Sequence, residues 1–358
     1  MLNNGRSNNM KKTLLLFATL CIATLGFAQL PYATLTHNDS VQAFYGMDAL
    51  QQAHDAAVGG DVINLSSGVF NAVNITKGVT IRGASVLNDT ARGLVNTLIS
   101  GSFNINIPDS VNRLTLTGLY FNSDFWIYKA FNPLFKKCRF QTVAAGWQNT
   151  STQETDRTTN PRFINCFISS WRNSQWNNYN DWSATNPTFY NCIIWGFYEG
   201  RSPDALINCN VIISSNYDVL NSKSILNCIL MNSAGSATIN NNGLTCFNTI
   251  GLNTSTWYGY HDFFDLTNME SHHLYNFHII SEVFQSVTSY TYTDGMSMAL
   301  VDSIATTILG DDGTQVGIYG GPYPFDFMVT NPLIGNCTAA RRTNAQGKLE
   351  VDIEVINE

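Results

Sequence analysis

The chain has 358 residues, with 19 basic and 26 acidic side chains and a formal charge of −7. This acidic balance argues against nucleic acid or an anionic membrane as the main partner, because both are bound by fields of Lys and Arg. Only 13% of the residues are charged, against about 25% in an average soluble domain, so the surface must consist largely of Asn, Ser, Thr and Tyr. Such a neutral, hydrogen-bonding surface is typical of secreted proteins and suits the binding of sugars.

The N-terminus has the features of a secretory signal peptide. Two lysines at 11–12 precede an apolar run over 13–27, and the run ends in small residues. It is shorter than the roughly 20 residues that span a bilayer, so a signal peptide is favoured over a membrane anchor. We expect residues 1–28 to be removed near Ala28/Gln29. The mature chain would then be secreted to the periplasm or the outer cell surface, without a transmembrane segment.

A short amphipathic helix over residues 48–58 is predicted ahead of the first coil. The segment is rich in Ala, Asp48 is a plausible N-cap, and two glycines follow it. We expect the helix to cover the open end of an apolar core, which repeat proteins need for solubility. Four apolar side chains share one helical face: Leu50, Ala53, Ala57 and Val58.

The residues of this helix and of the short strands after it carry a family resemblance. The runs ALQQAHDAAVGGDVINLSSGVF (49–70) and NITKGVTIRGAS (74–85) resemble the opening of right-handed parallel β-helix proteins of the pectate-lyase-like superfamily, in its secreted bacterial branch without assigned function. The resemblance implies a capping helix followed by a β-helix. It does not imply a chemistry, because the superfamily holds lyases, hydrolases, esterases and inert binding proteins.

Five cysteines in the middle of the chain occur in a repeated setting. A large apolar residue stands three positions before each cysteine, Asn directly precedes four of the five, and an apolar residue follows two positions later. Asn tolerates the left-handed backbone conformation, so this pattern predicts a sharp bend between two strands. The aligned positions, each called position zero of its repeat, are Leu119, Cys138, Cys166, Cys192, Cys209, Cys228, Thr249 and Phe277.

The spacing of these positions, 17 to 28 residues, predicts a solenoid whose repeats carry insertions. Short strands with Asn and Gly bends favour an all-β fold, a single-stranded right-handed parallel β-helix of about ten coils. Equivalent side chains of stacked coils lie about 4.8 Å apart, which gives a cysteine ladder and an asparagine ladder. A disulfide needs about 2.05 Å between sulfur atoms, so we favour reduced, buried thiols over disulfides. A single line of cysteines also argues against a metal site.

Three of the longer intervals contain insertions rich in Trp and Tyr, and all leave the repeat in the same sector. Aromatic rings interleaved with amides suit a carbohydrate site, because rings stack on sugar faces while amides bind hydroxyl groups. The alternative is that the rings fold the loops back onto the solenoid and pack there. The candidate glycan-binding residues are Trp147, Trp171, Trp176, Tyr179, Trp182, Trp257, Tyr258 and Tyr260.

No catalytic signature is found in the sequence. A lyase would use a basic residue beside carboxylates that hold calcium, and a hydrolase would use two carboxylates. The candidates for such a cluster are Arg172, Glu199, Arg201 and Asp204, although an ordinary ion pair explains Glu199 and Arg201 equally well. No cofactor or metal is expected, and calcium only if the protein is a lyase.

The C-terminal part is predicted to close the rod. Residues 311–321 look like the closing segment of secreted bacterial β-helix proteins of unknown role, and we extend the parallel β-helix domain over 29–325. In the remaining part, 326–358, apolar and charged residues alternate over 349–355, which predicts a strand. Paired with residues 333–340, this strand makes a terminal hairpin, either a cap or an edge open to a partner strand.

The favoured function is the binding of extracellular or cell-surface polysaccharide by a monomeric, secreted protein that does not bind nucleic acid. One alternative is a polysaccharide lyase or glycoside hydrolase of unrecognised type. The other is a structural surface adhesin that contacts protein.

Overall fold

The computed structural model describes residues 30–88, 95–145, 157–173, 184–200, 204–213, 219–220, 222–232, 238–239, 245–254, 262–264, 266, 273–290, 292, 296–326, 333–339 and 351–356. The described part is all-β, with long parallel sheets and three short helices. No helix in it is long and apolar enough to cross a membrane.

The helices are α1 (Ala49–Ala56), α2 (Ile280–Val283) and α3 (Asp302–Thr307). The strands are β1 (Tyr32–His37), β2 (Ser40–Tyr45), β3 (Val62–Leu65), β4 (Gly68–Asn71), β5 (Asn74–Ile75), β6 (Thr80–Arg82), β7 (Thr97–Ser100), β8 (Phe103–Asn106), β9 (Thr115–Thr117), β10 (Tyr120–Lys129), β11 (Leu134–Lys136), β12 (Arg139–Ala145), β13 (Arg162–Ile164), β14 (Phe167–Ile168), β15 (Trp171–Asn173), β16 (Thr188–Tyr190), β17 (Ile193–Ile194), β18 (Phe197–Gly200), β19 (Ala205–Ile207), β20 (Asn210–Ile213), β21 (Val219–Leu220), β22 (Ser224–Leu226), β23 (Ile229–Asn232), β24 (Thr238–Ile239), β25 (Thr245–Phe247), β26 (Thr249–Asn253), β27 (Leu274–Phe277), β28 (Leu333–Ala339) and β29 (Val351–Ile356).

The strands form two large sheets in which each repeat adds one strand beside that of the preceding repeat. The first sheet has the order β2-β1-β3-β6-β9-β11-β13-β16-β19-β22-β25, and it is parallel from β3 onward. The second has the main path β4-β7-β10-β12-β14-β17-β20-β23-β26-β27 and is parallel throughout. A third stack, β5-β8-β10-β12-β15-β18, branches from it because β10 and β12 are long enough to pair in two stacks.

The bend between the first and second sheets lies at the residue before position zero, as the Asn pattern predicts. The backbone there has positive φ, between 45° and 69°, which Asn and Gly tolerate better than other residues. Lys137 and His273 take this conformation although they are neither Asn nor Gly. The bend residues are Gly118, Lys137, Asn165, Asn191, Asn208, Asn227, Asn248 and His273.

The alignment of the last repeat is wrong in the sequence analysis. The bend falls at His273 (φ 57°), and Leu274 pairs with Thr249, so Leu274 and not Phe277 occupies position zero. Asn276, the bend residue that the pattern predicts, bonds to the backbone of Phe264 instead. Its Oδ1 accepts from the Phe264 N–H at 2.9 Å, and its Nδ2 donates to the Phe264 carbonyl at 3.0 Å.

The inner core is a continuous column of apolar side chains from all repeats. At the position three before the cysteines, Phe135, Phe163 and Phe189 stack with ring centroids 4.7 Å apart at each step. Burial of such rings is the main stabilising contribution, because each repeat alone cannot bury its inward face.

The cysteines form the expected ladder of buried, free thiols over Cys138 to Cys228. Each sulfhydryl lies near one carbonyl of its own repeat and one of the preceding repeat; Cys192 Sγ is 3.2 Å from Tyr190 O and 3.5 Å from Phe163 O. Burial raises the pKa of the thiols of Cys138, Cys192 and Cys228, and raises that of Cys246 to about 11. These four thiols therefore stay protonated at neutral pH.

Among the described residues, the last strand of the parallel sheets is β27, which ends at Phe277. The described residues between 280 and 326 fold back and help to cover the outer face of the second sheet. That outer face carries Phe167, Ile193, Ile229 and Ile250 directly after position zero, all buried against this returning segment. Apolar residues on both faces of one strand are the signature of a sheet covered on both sides.

The last part of the returning chain, residues 310–326, is here called the strap. It runs along the bend residues against the order of the repeats: Asp311 Oδ1 accepts from Asn248 at 2.8 Å, and Asp326 lies 3.1 Å from Lys137. In the middle, Asn191 Nδ2 donates to the carbonyls of Ile318 (2.9 Å) and Gly320 (2.6 Å). The asparagine ladder thus bends the chain through its backbone and holds the strap through its side chains.

The N-terminal end is closed by the β1–β2 hairpin and α1. Strand β1 pairs antiparallel with β3, and Ala49, Leu50 and Ala53 of α1 join the inner core. The helix is shorter than the predicted 48–58, and Val58 is 51% exposed, not part of the buried face. The Asp48 carboxylate does not cap the helix; it accepts a hydrogen bond from Asn71 Nδ2 at 2.7 Å.

Charged and titratable side chains complete this N-terminal closure. Lys77 Nζ donates to the carbonyls of His54, Asp55 and Ala57 at 2.8, 2.9 and 2.8 Å, and so satisfies the C-terminal end of α1. Burial, with Lys77 nearby, lowers the pKa of His54, whose Nε2 accepts from the Thr76 N–H at 3.3 Å.

Asp61 ties the closure to β1. Its carboxylate is only 8% exposed and accepts from the Val58 N–H (2.8 Å) and His37 Nδ1 (2.7 Å). Burial acts to raise the pKa of Asp61, but these two hydrogen bonds outweigh it and hold that pKa below its usual value. At the opposite end of the chain, β28 and β29 pair antiparallel, as the predicted terminal hairpin requires.

Candidate functional site

Most of the candidate sugar-binding residues lie outside the described part of the chain. This holds for Trp147, Trp176, Tyr179, Trp182, Trp257, Tyr258, Tyr260 and the candidate catalytic Arg201. Their place in the site stays a prediction. The described strands do fix where two insertions begin: β12 ends at Ala145 and β15 at Asn173, both in the third stack.

Trp171 does not belong to an exposed insertion. It is the first residue of β15, is only 1% exposed, and meets the rings of Phe163 and Phe189 edge-on at 5.6 and 5.1 Å. Trp171 is paired in register with the buried Val143, so its side chain points inward as well. Only Arg172 and Asn173 separate it from the end of β15. A ring buried in this way cannot stack on a sugar, so Trp171 is removed from the candidate site.

The described candidate catalytic residues are divided between two stacks. Arg172 is half-buried on the outward side of β15, and Glu199 is a residue of β18 in the same stack. Asp204 directly precedes β19 of the first sheet and forms an ion pair with Lys223 at 3.1 Å. An exposed pair of this kind is structural in character and contributes little to stability.

The outward face of the third stack carries a row of polar and aromatic residues. Asn74, Asn104, Trp126, Ala144 and Arg172 follow one another from strand to strand in register. Asn104 Nδ2 donates to Asn74 Oδ1 at 2.7 Å, so the first two side chains form an amide pair at the surface. The row therefore places the amide pair on one side of Trp126, whereas on the other side the buried Ala144 separates it from Arg172.

Trp126 shares its strand face with a second aromatic residue, Tyr128. Phe125 and Ile127 point into the core, so the alternating Trp126 and Tyr128 point outward, where both are half-buried. The two rings are nearly parallel, with centroids 6.3 Å apart and an interplanar angle of 6°. Burial raises the pKa of Tyr128, so its phenol is neutral and can both donate and accept a hydrogen bond. Trp126 and Tyr128 are here called the aromatic pair.

Sequence reasoning missed the aromatic pair because it looked for tryptophan in insertions. The alternation of Phe125, Trp126, Ile127 and Tyr128 is a strand pattern with two aromatic residues on its outer side, and it could have been recognised. Among the described residues, no group of three His, Cys, Asp or Glu side chains is placed to hold a metal ion.

Comparisons with protein-family models, with curated proteins and with solved structures each found no match for this chain.

Proposed function

We propose that the protein is a secreted, right-handed parallel β-helix that binds polysaccharide on the outer face of its third stack. The fold proposal is supported by the two parallel sheets, the branching third stack and the repeated bends, which together suggest a chain that winds once per repeat. Right-handed winding is the expected sense for parallel strands joined by crossovers. The signal-like N-terminus supports secretion.

The aromatic pair is the observation that carries the binding proposal. Two nearly parallel rings at a surface offer apolar faces to pyranose rings, and the neutral Tyr128 hydroxyl can bind a sugar hydroxyl. Amide groups at Asn74 and Asn104 lie in the same row and add donors and acceptors of no net charge. Only 13% of the residues of the chain are charged, which favours a neutral or weakly charged glycan over a polyanion.

The two insertions that begin at the ends of β12 and β15 border the same stack. We propose that their Trp and Tyr residues extend the aromatic pair into a longer groove. Loops on a rigid scaffold are a common location for binding residues.

The test is a glycan-array screen followed by calorimetric titration with the polysaccharide found. We expect Trp126→Ala to weaken binding at least tenfold and Tyr128→Phe to weaken it less, because phenylalanine keeps the ring and loses only the hydroxyl. Tyr323→Ala is the matched control: Tyr323 is a 41%-exposed ring on the strap, against Tyr190 of the first sheet. Equal affinities for wild type and Trp126→Ala would refute the site.

A further inference from the structure

The first sheet ends in an edge strand, β2, at its N-terminal side. Strand β2 pairs with β1 on one side, and no other described strand pairs with it. Every residue of β2 except Phe44 is exposed. An exposed sheet edge presents unpaired N–H and C=O groups that another strand can bind.

The backbone geometry shows which residues present these groups. His37 and Ser40 close the hairpin across a two-residue turn, so they form a hydrogen-bonded pair. Because paired and unpaired positions alternate, the N–H and C=O groups of Val41, Ala43 and Tyr45 point away from β1. The free edge therefore offers three donors and three acceptors in a row.

The features that usually protect an edge are absent from β2. Its sequence, Ser-Val-Gln-Ala-Phe-Tyr, has no charge and no proline, and its register with β1 has no bulge. Its outward face is apolar as well: Val41 is 67% and Tyr45 65% exposed. Twelve large apolar side chains are exposed in the described part, and eight of them lie between residues 30 and 111. Exposed apolar residues are thus concentrated in the N-terminal third of the chain.

We propose that β2 is a dimerisation edge that pairs antiparallel with β2 of a second copy, centred on Ala43. In that register Val41 of one copy lies opposite Tyr45 of the other, which gives two apolar cross-strand pairs on the outer face. Asp39 falls opposite Met47, so no like charges meet. The strand is thus complementary to itself, and a second copy is the occupant that fits it; this replaces the monomer expected from the sequence.

The interface is small, since it is built on one six-residue strand, and we expect a dimer that dissociates on dilution. Sedimentation equilibrium of the purified protein over a dilution series should show twice the monomer mass at the highest concentration and the monomer mass at the lowest. A monomer at every concentration would overturn the proposal.

Two charge variants test the register. Ala43→Lys and Ala43→Glu each place like charges directly opposite each other at the centre, so each variant alone should be monomeric. A one-to-one mixture of the two should dimerise again, because the pair then has opposite charges. This restoration would exclude misfolding as the cause of the loss.

The control is Val58→Lys, which adds the same charge to an exposed position of the same end, outside β2, and should leave dimerisation unchanged. A dimer that persists unchanged in Ala43→Lys, or a mixture of the two variants that stays monomeric, would contradict pairing through β2. The proposal does not depend on glycan binding.

Discussion

The N-terminal closure and the strap cover two different surfaces of the same repeat array. The N-terminal closure covers the end of the inner core with α1 and the hairpin, and is fastened by Lys77 and Asp61. The strap helps to cover the side of the second sheet and is fastened mainly by neutral amides and backbone groups, as at Asn191. Because charged groups fasten the N-terminal closure, its stability should depend on pH. The stability of the strap should depend on steric fit instead, because neutral groups fasten it.

The largest expected effect is a steric change in the strap. A Cβ at Gly320 would overlap the carbonyl oxygen of Gln315 and also approach the Asn208 amide. We expect Gly320→Ala to lower the free energy of unfolding by about 3 kcal/mol, measured by urea denaturation.

Gly313→Ala is the control within the strap. Gly313 has a positive φ of 75° and open space around it, so alanine there meets only backbone strain, of about 1 kcal/mol. Equal losses in the two variants would mean that Gly320 is not packed as closely against Gln315 and Asn208 as the structure shows.

A smaller effect is expected at the N-terminal closure. Lys77→Met removes three hydrogen bonds to the end of α1 while keeping the apolar stem, and should cost about 2 kcal/mol. Hydrogen exchange should locate the loss in α1 and β1. Lys223→Met, which breaks only an exposed ion pair, should cost less than about 1 kcal/mol; a similar loss for both would contradict the special role of Lys77.

The smallest effect concerns acid. The pKa of Asp61 is lowered in the folded state, so its contribution is present above the unfolded value of about 3.9 and is lost as the pH falls through the folded value. As the pH falls below about 4.5, wild type should lose more stability than Asp61→Asn, because residue 61 of the variant carries no ionisable group. The denaturation midpoints of both proteins at each pH provide the measurement.

The same acid series distinguishes the two closures. The N–H groups of Gly317 and Ile318 donate to Asn227 and Asn210, whereas that of Val58 donates to Asp61. The protection of the first two amides from hydrogen exchange, relative to the intrinsic rate at each pH, should change less with pH than the protection of Val58. Faster acid opening of the strap than of the N-terminal closure would reverse the comparison.

Much of the repeat could be predicted because its residues act locally. Asn165, Asn191, Asn208 and Asn227 each take the positive φ that the bend needs, whatever else surrounds them. A second set of bends was overlooked although its signal is equally local: Asn132, Asn160 and Asn186 also have positive φ, and each precedes a proline. Their side chains form a ladder, with Nδ2–Oδ1 distances of 2.8 and 3.0 Å.

What the sequence could not provide depends on distant contacts. The strap reaches residues more than a hundred positions earlier, and no local pattern names Gly320 as the partner of Asn191. Trp171 stands two residues before an insertion, and only the register with Val143 places its side chain inside. The aromatic pair lies within reach of pattern reading, but its nearly parallel rings depend on packing.

The return of the chain over the second sheet has a consequence for folding during synthesis. Phe167 and Ile193 emerge more than a hundred residues before Ile304 and Ile318, which belong to the segment that covers this face. A nascent chain whose repeats have already paired therefore still exposes the apolar outer face of the second sheet until nearly the whole polypeptide has been synthesised. This face is therefore covered late in synthesis. A chain that ends before residue 310 would leave part of it exposed, and such a chain would be prone to aggregation.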